Sequence, residues 1–279
     1  MNWLREHLKN ALTYAPTDLL EIVTNYSVLR KDAGRLLPPE SVTGSKTVLY
    51  ERAHRLVIDA VRGTATPPGA PDPGNPETPP PSEPPPILFL EFGVFEGNSI
   101  RRWAGLNTHP DSRFVGFDSF EGLPIPWRQR PAGHFSTNGQ PPAIDDPRVG
   151  FVKGWFHQTV PAALDDLGLL PQTTATREGA AEAVPDTKTA PETPTIPGAG
   201  VVVHIDADLY TSALFLLTEL HRRLDRYHVL FDDYAAGEAR ALHAYLTAYG
   251  AAFEPLVGRK RRPRSRVPNQ AFGLLTTCR

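Results

Sequence analysis

Short apolar runs that stop at a carboxylate or a glycine recur along this chain, and stretches with helical spacing separate them. Ile87-Leu88-Phe89-Leu90-Glu91-Phe92 halts at Gly93, and Arg113-Phe114-Val115-Gly116-Phe117-Asp118 halts at its own aspartate. Val149 to Val152 is a weaker run. Val201-Val202-Val203-His204-Ile205-Asp206 is the strongest, and His228-Val229-Leu230-Phe231-Asp232-Asp233 follows it. Helical patterns lie over Ser99 to Leu106, near Val160 to Leu167, and over Ser212 to Arg223 and Ala239 to Ala248. Strands that are apolar on both faces need cover on both sides, so this alternation predicts a mostly parallel sheet with helices on each face. Phe253 to Val257 and Ala271 to Thr276 have no helix between them, which predicts an antiparallel terminal hairpin and seven strands in all. Ligands of such sheets bind beyond the carboxyl ends of the strands, where the chain's informative polar residues fall.

The rest of the chain is organised around that core. Leu4 to Leu36 and Tyr50 to Val61 carry apolar residues at helical spacing, so residues 1–63 read as an amino-terminal helical layer or lid. Many of the 30 prolines gather in two segments, 64–86 and about 172–200. Neither segment has the hydrophobic periodicity needed to offset its ordering entropy, and both read as flexible insertions around and within a core spanning 87–279. A net charge of -2 gives no global field for nucleic acid or an anionic membrane. Cys278 stands alone, so no internal disulfide can form. No apolar run is long enough to span a bilayer, and the amino terminus lacks the apolar centre of a signal peptide, which predicts a cytoplasmic protein.

At the first strand end, Glu91-Phe92-Gly93-Val94-Phe95-Glu96-Gly97 predicts a tight turn in which Gly93 and Gly97 let the backbone approach a ligand closely. The spacing is not the G-x-G-x-x-G of a dinucleotide site, and two carboxylates would repel a pyrophosphate. They suit a ligand with a cationic ammonium and sulfonium. Asp118, at the end of the second strand, can accept both hydroxyls of a ribose; capping of the turn at Asp118-Ser119 is the alternative.

Asp206 and Asp208 end the strongest strand, two residues apart, so an extended backbone would put both side chains on one side. Asp232 and Asp233 end the adjacent strand. Four converging carboxylates repel one another unless a cation sits among them, and oxygen donors suit a hard divalent ion such as Mg2+. Such an ion would stabilise a developing alkoxide, which a hydroxyl cannot form unaided at neutral pH.

Four motifs carry a family resemblance: Phe117-Asp118-Ser119-Phe120-Glu121-Gly122-Leu123-Pro124, Gly154-Trp155-Phe156-His157-Gln158-Thr159-Val160-Pro161, His204-Ile205-Asp206-Ala207-Asp208-Leu209-Tyr210, and Phe231-Asp232-Asp233-Tyr234. In this order they resemble the macrocin O-methyltransferase-like family from about Leu88 to Leu275. The resemblance implies a class I methyltransferase (Rossmann-like) fold, S-adenosylmethionine as methyl donor, magnesium dependence and a hydroxyl acceptor, often a sugar of a secondary metabolite. It implies that Glu91, Gly93, Gly97, Asp118 and Ser119 bind the cofactor and that a segment around Ser27 folds over it. It also implies that Asp206, Asp232 and Asp233 hold the metal, with Asp208 as the base. Some members have a histidine three residues after the first metal ligand; here Leu209 stands there, which favours Asp208.

His204 reads as a buried structural histidine. His134 and His157 read as loop residues near the pocket, and Trp127, Trp155 and Phe135 as either an acceptor wall or core. The basic run Arg259 to Arg266 reads as a solvated loop, since no aromatic residue interleaves with its charges. The rival activities are a metal-dependent catechol or phenol O-methyltransferase, a nucleic-acid methyltransferase, and a non-catalytic adaptor built on the proline-rich segments. The sequence leaves the acceptor and the oligomeric state open.

Overall fold

The structure, a computed structural model, describes residues 37–64, 83–171, 199–261 and 267–278. Its elements in chain order are β1 (Val42–Thr43), α1 (Lys46–Thr64), β2 (Ile87–Phe92), α2 (Asn98–Leu106), β3 (Arg113–Asp118), β4 (Val149–Lys153), α3 (Phe156–Asp166), β5 (Gly200–Ile205), α4 (Tyr210–His221), β6 (Arg226–Phe231), α5 (Glu238–Tyr249), β7 (Ala252–Arg259) and β8 (Gln270–Thr276). They form one 8-stranded sheet in the order β1-β7-β8-β6-β5-β2-β3-β4. The five strands β2 to β6 run parallel, and β8 pairs antiparallel with both β6 and β7. The mostly parallel Rossmann-like sheet with its terminal hairpin is the predicted fold. The eighth strand is an addition, a two-residue β1 beside β7, too short to show any alternation in sequence.

The continuous apolar runs serve two cores at once because successive side chains of a strand face opposite ways. Ile87, Phe89, Phe114, Val202 and Leu230 pack on the face covered by α1 and α2, with Leu49, Ala53 and Val57 of α1 and Trp103 of α2. Leu88, Leu90, Phe92, Phe117, Val203, Ile205, Val229 and Phe231 pack on the other, with Val160 and Leu164 of α3, Leu216, Leu217 and Leu220 of α4 and Leu242 and Tyr245 of α5. Helix α1, expected over Tyr50 to Val61, begins earlier, at Lys46. Helix α3 starts at Phe156 and keeps Pro161 within it.

The strand order reverses between β2 and β5. Chain leaving β2 crosses toward β3 and β4, whereas β5 opens the opposite half, so a crevice forms where their carboxyl ends part. Backbone hydrogen bonds step across those ends: Gly93 N donates to Phe117 O, Asp206 N to Phe92 O, and Asp232 N to Ile205 O, each at 2.9 Å. The helical stretch Leu4 to Leu36 with Ser27, most of the segment 64–86, the segment 172–198 and Arg262 to Arg266 lie outside the described residues. No helix among the described residues is long and apolar enough to cross a membrane.

Candidate active site

A cavity of about 990 Å³ opens at this crevice. Gly93, Val94, Phe95, Asp118 and Ser119 line one side, Gly154, Trp155 and Phe156 another, and Asp206, Asp208, Asp232 and Asp233 its floor. Trp127, Arg128, Gln129, Arg130 and Phe135 come in from the loop after β3. The volume is at the upper end of the ~300–1,000 Å³ that pockets for single drug-sized ligands occupy, which suits two ligands side by side.

The turn after β2 is built differently from the sequence expectation. Gly93 has φ 94, and a Cβ there would lie 2.0 Å from the carbonyl oxygen of Asp206. The close approach that demands glycine is thus to the end of β5. Gly97, with φ 73, is buried against Pro142 and Ile144 and does not line the cavity. Asp118 anchors the turn: its Oδ2 accepts the N–H groups of Val94 (2.8 Å) and Phe95 (2.9 Å), and its Oδ1 that of Phe120 (2.8 Å). The capping role weighed for Asp118 is therefore present, on a carboxylate that also lines the cavity. Ser119 Oγ accepts the Glu121 N–H at 3.1 Å.

Glu91 and Glu96 do not line the cavity. Glu96 is exposed, whereas Glu91 is wholly buried and its Oε1 sits 2.8 Å from His204 Nδ1. His204 Nε2 lies 3.5 Å from Asp232 Oδ1, long for a hydrogen bond but close enough for attraction. Burial alone would lower the imidazole pKa, but the contacts with Asp232 and Glu91 outweigh it and push it up to about 9. His204 is thus buried between two acids that favour its charged form, which accounts for a histidine inside an apolar strand.

Asp232 collects three partners on one oxygen. Its Oδ1 takes Lys46 Nζ at 2.8 Å, the side-chain amide of Gln270, and the attraction of His204. Burial would raise this carboxyl, yet His204 and Lys46 outweigh it and hold the carboxyl well below the usual range. Asp206, Asp208 and Asp233 face a different situation. Atoms of these three carboxylates lie within 4.8 Å of one another, and Asp206 is also within that distance of His204 and Asp232. Asp206 is pushed well up, first by lost hydration and then by Asp232, with His204 and Lys46 opposing. Asp208 is pushed up to about 8 by burial, by a hydrogen bond with Asp233 and by that residue's charge, with Arg130 opposing. Acids held this close without a cation disfavour one another's charged form.

The extended-strand argument for pairing Asp206 with Asp208 fails. Strand β5 ends at Ile205, and Asp208 has φ 58, in the left-handed region that a side chain rarely adopts. The two acids converge because the chain bends. A fifth acid, Glu238, is missed by the sequence reading. It is completely buried at the start of α5, and its two oxygens accept the N–H groups of Ala207 (3.3 Å) and Asp233 (2.9 Å), clamping the two acidic loops together. Burial first, then Asp233, Asp206 and Asp232, push its carboxyl well up.

The Gly-Trp-Phe-His-Gln-Thr segment is shaped by a packing contact: a Cβ on Gly154 would lie 2.5 Å from Thr159 Cγ2. His134 and His157 do not line the cavity, while Trp127, Trp155 and Phe135 do.

No family model matches this chain, and no curated protein matches it in sequence. Among solved structures, it is similar to the O-methyltransferase NovP, at 18% identity over 82% of this chain and 79% of that one, with a TM-score of 0.46. It is similar to CalS11, a TDP-rhamnose 3'-O-methyltransferase of calicheamicin biosynthesis, at 19% identity over 97% and 91%, with a TM-score of 0.43. An O-methyltransferase from Bacillus cereus in complex with SAH matches at 12% identity over 96% and 94%, with a TM-score of 0.41. What the cavity can do chemically follows from its own residues.

Proposed function

We propose that this protein is an S-adenosylmethionine-dependent O-methyltransferase of the macrocin O-methyltransferase-like type, using a magnesium-like divalent ion and a sugar or glycoside hydroxyl as acceptor. The observation that carries the reading is that one cavity joins the Asp118-anchored turn after β2 to the clustered carboxylates of β5 and β6. Oxygen-only donors under mutual repulsion fit a hard cation, because binding one relieves the strain that raises Asp206 and Asp208. When bound, the ion would stabilise alkoxide character on the acceptor and the cofactor would supply the methyl group.

Asp206, common to the all-carboxylate grouping with Asp208 and Asp233 and to the grouping with His204 and Asp232, and Asp233 are the principal ion ligands. Among the described residues the partners of Asp232 sit on Oδ1, which leaves its Oδ2 for the ion. Asp208 takes the hydroxyl proton, and its high proton affinity suits a base working near neutral pH. Asp118 and Ser119 bind the cofactor with the Gly93 turn; an ionised carboxylate offers about four acceptor sites, so beside its three backbone donors Asp118 keeps one, on Oδ1, for a ribose hydroxyl. Glu91 acts one layer back by keeping His204 charged beneath Asp232. Gly97 sets the entry of α2.

The test is methyl transfer from labelled S-adenosylmethionine to a panel of glycosides and phenols, with and without chelator. Asp206→Asn should weaken ion binding, whereas Asp208→Asn should keep it and lose ~10²-fold or more in transfer rate. Undiminished transfer by rigorously metal-free protein would end the proposal.

A further inference from the structure

The loop after β3 carries two arginines in an unusual setting. Trp127 and Arg130 exchange backbone hydrogen bonds, 2.9 Å in each direction, closing a two-residue turn over Arg128 and Gln129. Trp127 is buried, and both guanidinium groups lie over its ring, Arg128 at 4.8 Å and Arg130 at 5.2 Å from the centroid. Arg130 also lies 4.7 Å from the Phe135 centroid. All four residues line the cavity, and so does Arg261 from the end of β7.

Three features of these arginines bear on a ligand. Unlike Arg102, Arg148, Arg222 and Arg223, and like several other arginines of the chain, neither Arg128 nor Arg130 forms an ion pair among the described residues. Arg128 has φ 54, at a turn position that glycine or asparagine fills without strain. An arginine there strains the backbone, so its side chain is what the position gains. Both arginines line the same cavity as Asp206, Asp208, Asp232 and Asp233, so the cationic wall stands beside the acidic floor.

We infer that this turn is an oxyanion subsite: the acceptor carries a phosphate or carboxylate group, which Arg128 and Arg130, braced on Trp127, grip while its hydroxyl reaches the acidic floor. The inference rests on the methyltransferase reading of the cavity. Guanidinium forks match both anions in two-point geometry, and stacking on an aromatic ring restricts the motion that each would lose on binding.

The experiment is calorimetric titration of the full chain in metal-free buffer, with S-adenosylhomocysteine present, using inorganic pyrophosphate, glucuronate and neutral methyl glucoside. At least one of the two anions should bind, with affinity falling tenfold or more in an Arg128→Gly, Arg130→Gln double variant and again on raising salt. Which anion binds tells phosphate from carboxylate. The Arg128→Gly change relieves backbone strain, so the variant should fold, and methyl glucoside should not distinguish it from the parent. Equal anion binding by both forms, or none by the parent, would overturn the subsite. Loss of S-adenosylhomocysteine affinity in the variant would overturn it too, since the arginines would then hold the cofactor's own carboxylate. Failure of the parent to bind S-adenosylhomocysteine strikes instead at the methyltransferase reading.

Discussion

Alanine at position 93 should be far more damaging than alanine at another glycine with similar backbone angles. Gly93 (φ 94) and Gly133 (φ 78) both occupy the left-handed half of conformational space, so each substitution carries a conformational cost of about 1–2 kcal/mol. At Gly133 nothing lies within 4 Å of the added Cβ, and that cost should be the whole effect. At Gly93 the Cβ would lie 2.0 Å from the Asp206 carbonyl oxygen and 2.8 Å from its carbon, both backbone atoms that cannot rotate away. The ends of β2 and β5 would have to separate, adding the ~1–3 kcal/mol typical of overpacking. Gly93→Ala should therefore lose about 2–5 kcal/mol against about 1–2 for Gly133→Ala. Melting temperatures should fall by roughly 10 °C and roughly 4–5 °C at the middle of those ranges, at about 2–4 °C per kcal/mol for a domain of this size. Scanning calorimetry of the two variants beside the parent reads the difference. Because the clash falls on Asp206, Gly93→Ala should also weaken divalent-ion binding. Equal melting points for the two variants would refute the argument that the end of β5 imposes this glycine.

Other outcomes follow from the same geometry. Asp208 is raised to about 8 from an unfolded value near 3.9, so its ionisation destabilises the ion-free fold increasingly as pH rises from about 4 to 8. Asp208→Asn should then stabilise the ion-free protein by about 2–5 kcal/mol in denaturant melts at pH 8, while abolishing most transfer; an unchanged midpoint would contradict it. Millimolar Mg2+ should raise the melting temperature of the parent, by ~3 kcal/mol of linkage at a hundredfold excess over Kd, and should not do so for an Asp206→Asn, Asp233→Asn variant. His228, stacked on Phe272, is lowered to about 4 by burial and by Arg226. Since the unfolded imidazole titrates near 6.5, stability should be lost as pH falls from about 6.5 toward 4, by up to about 3 kcal/mol. His228→Leu should remove that acid sensitivity in pH-dependent melts.

The sequence made the fold legible because each core strand is apolar on both faces and ends on a polar residue, so strand positions and the location of the acids could be read together. The acid cluster was legible for the same reason. Its internal arrangement was not, because it depends on contacts between distant residues. Glu91 and His204 are 113 residues apart and meet only when β2 and β5 pair. Lys46 arrives from α1 and Gln270 from β8, and neither carries a local signal of its partner. Glu238 looks like an ordinary first-turn acid of a helix, which favours negative charge there, and nothing nearby reveals its complete burial. The bend at Asp208 was unreadable because aspartate is not the residue by which a left-handed turn is usually recognised.

Lys46 also bears on where the smallest working unit of this chain begins. A border drawn at Ile87, where the regular strand–helix alternation starts, would discard the ammonium that steadies Asp232 and remove the α1 share of the cover on one face of the sheet, leaving α2 alone there. Anyone trimming this protein for transplantation or crystallisation should keep α1 attached, because the acidic floor and its electrical ground come from opposite sides of a proline-rich gap in the sequence.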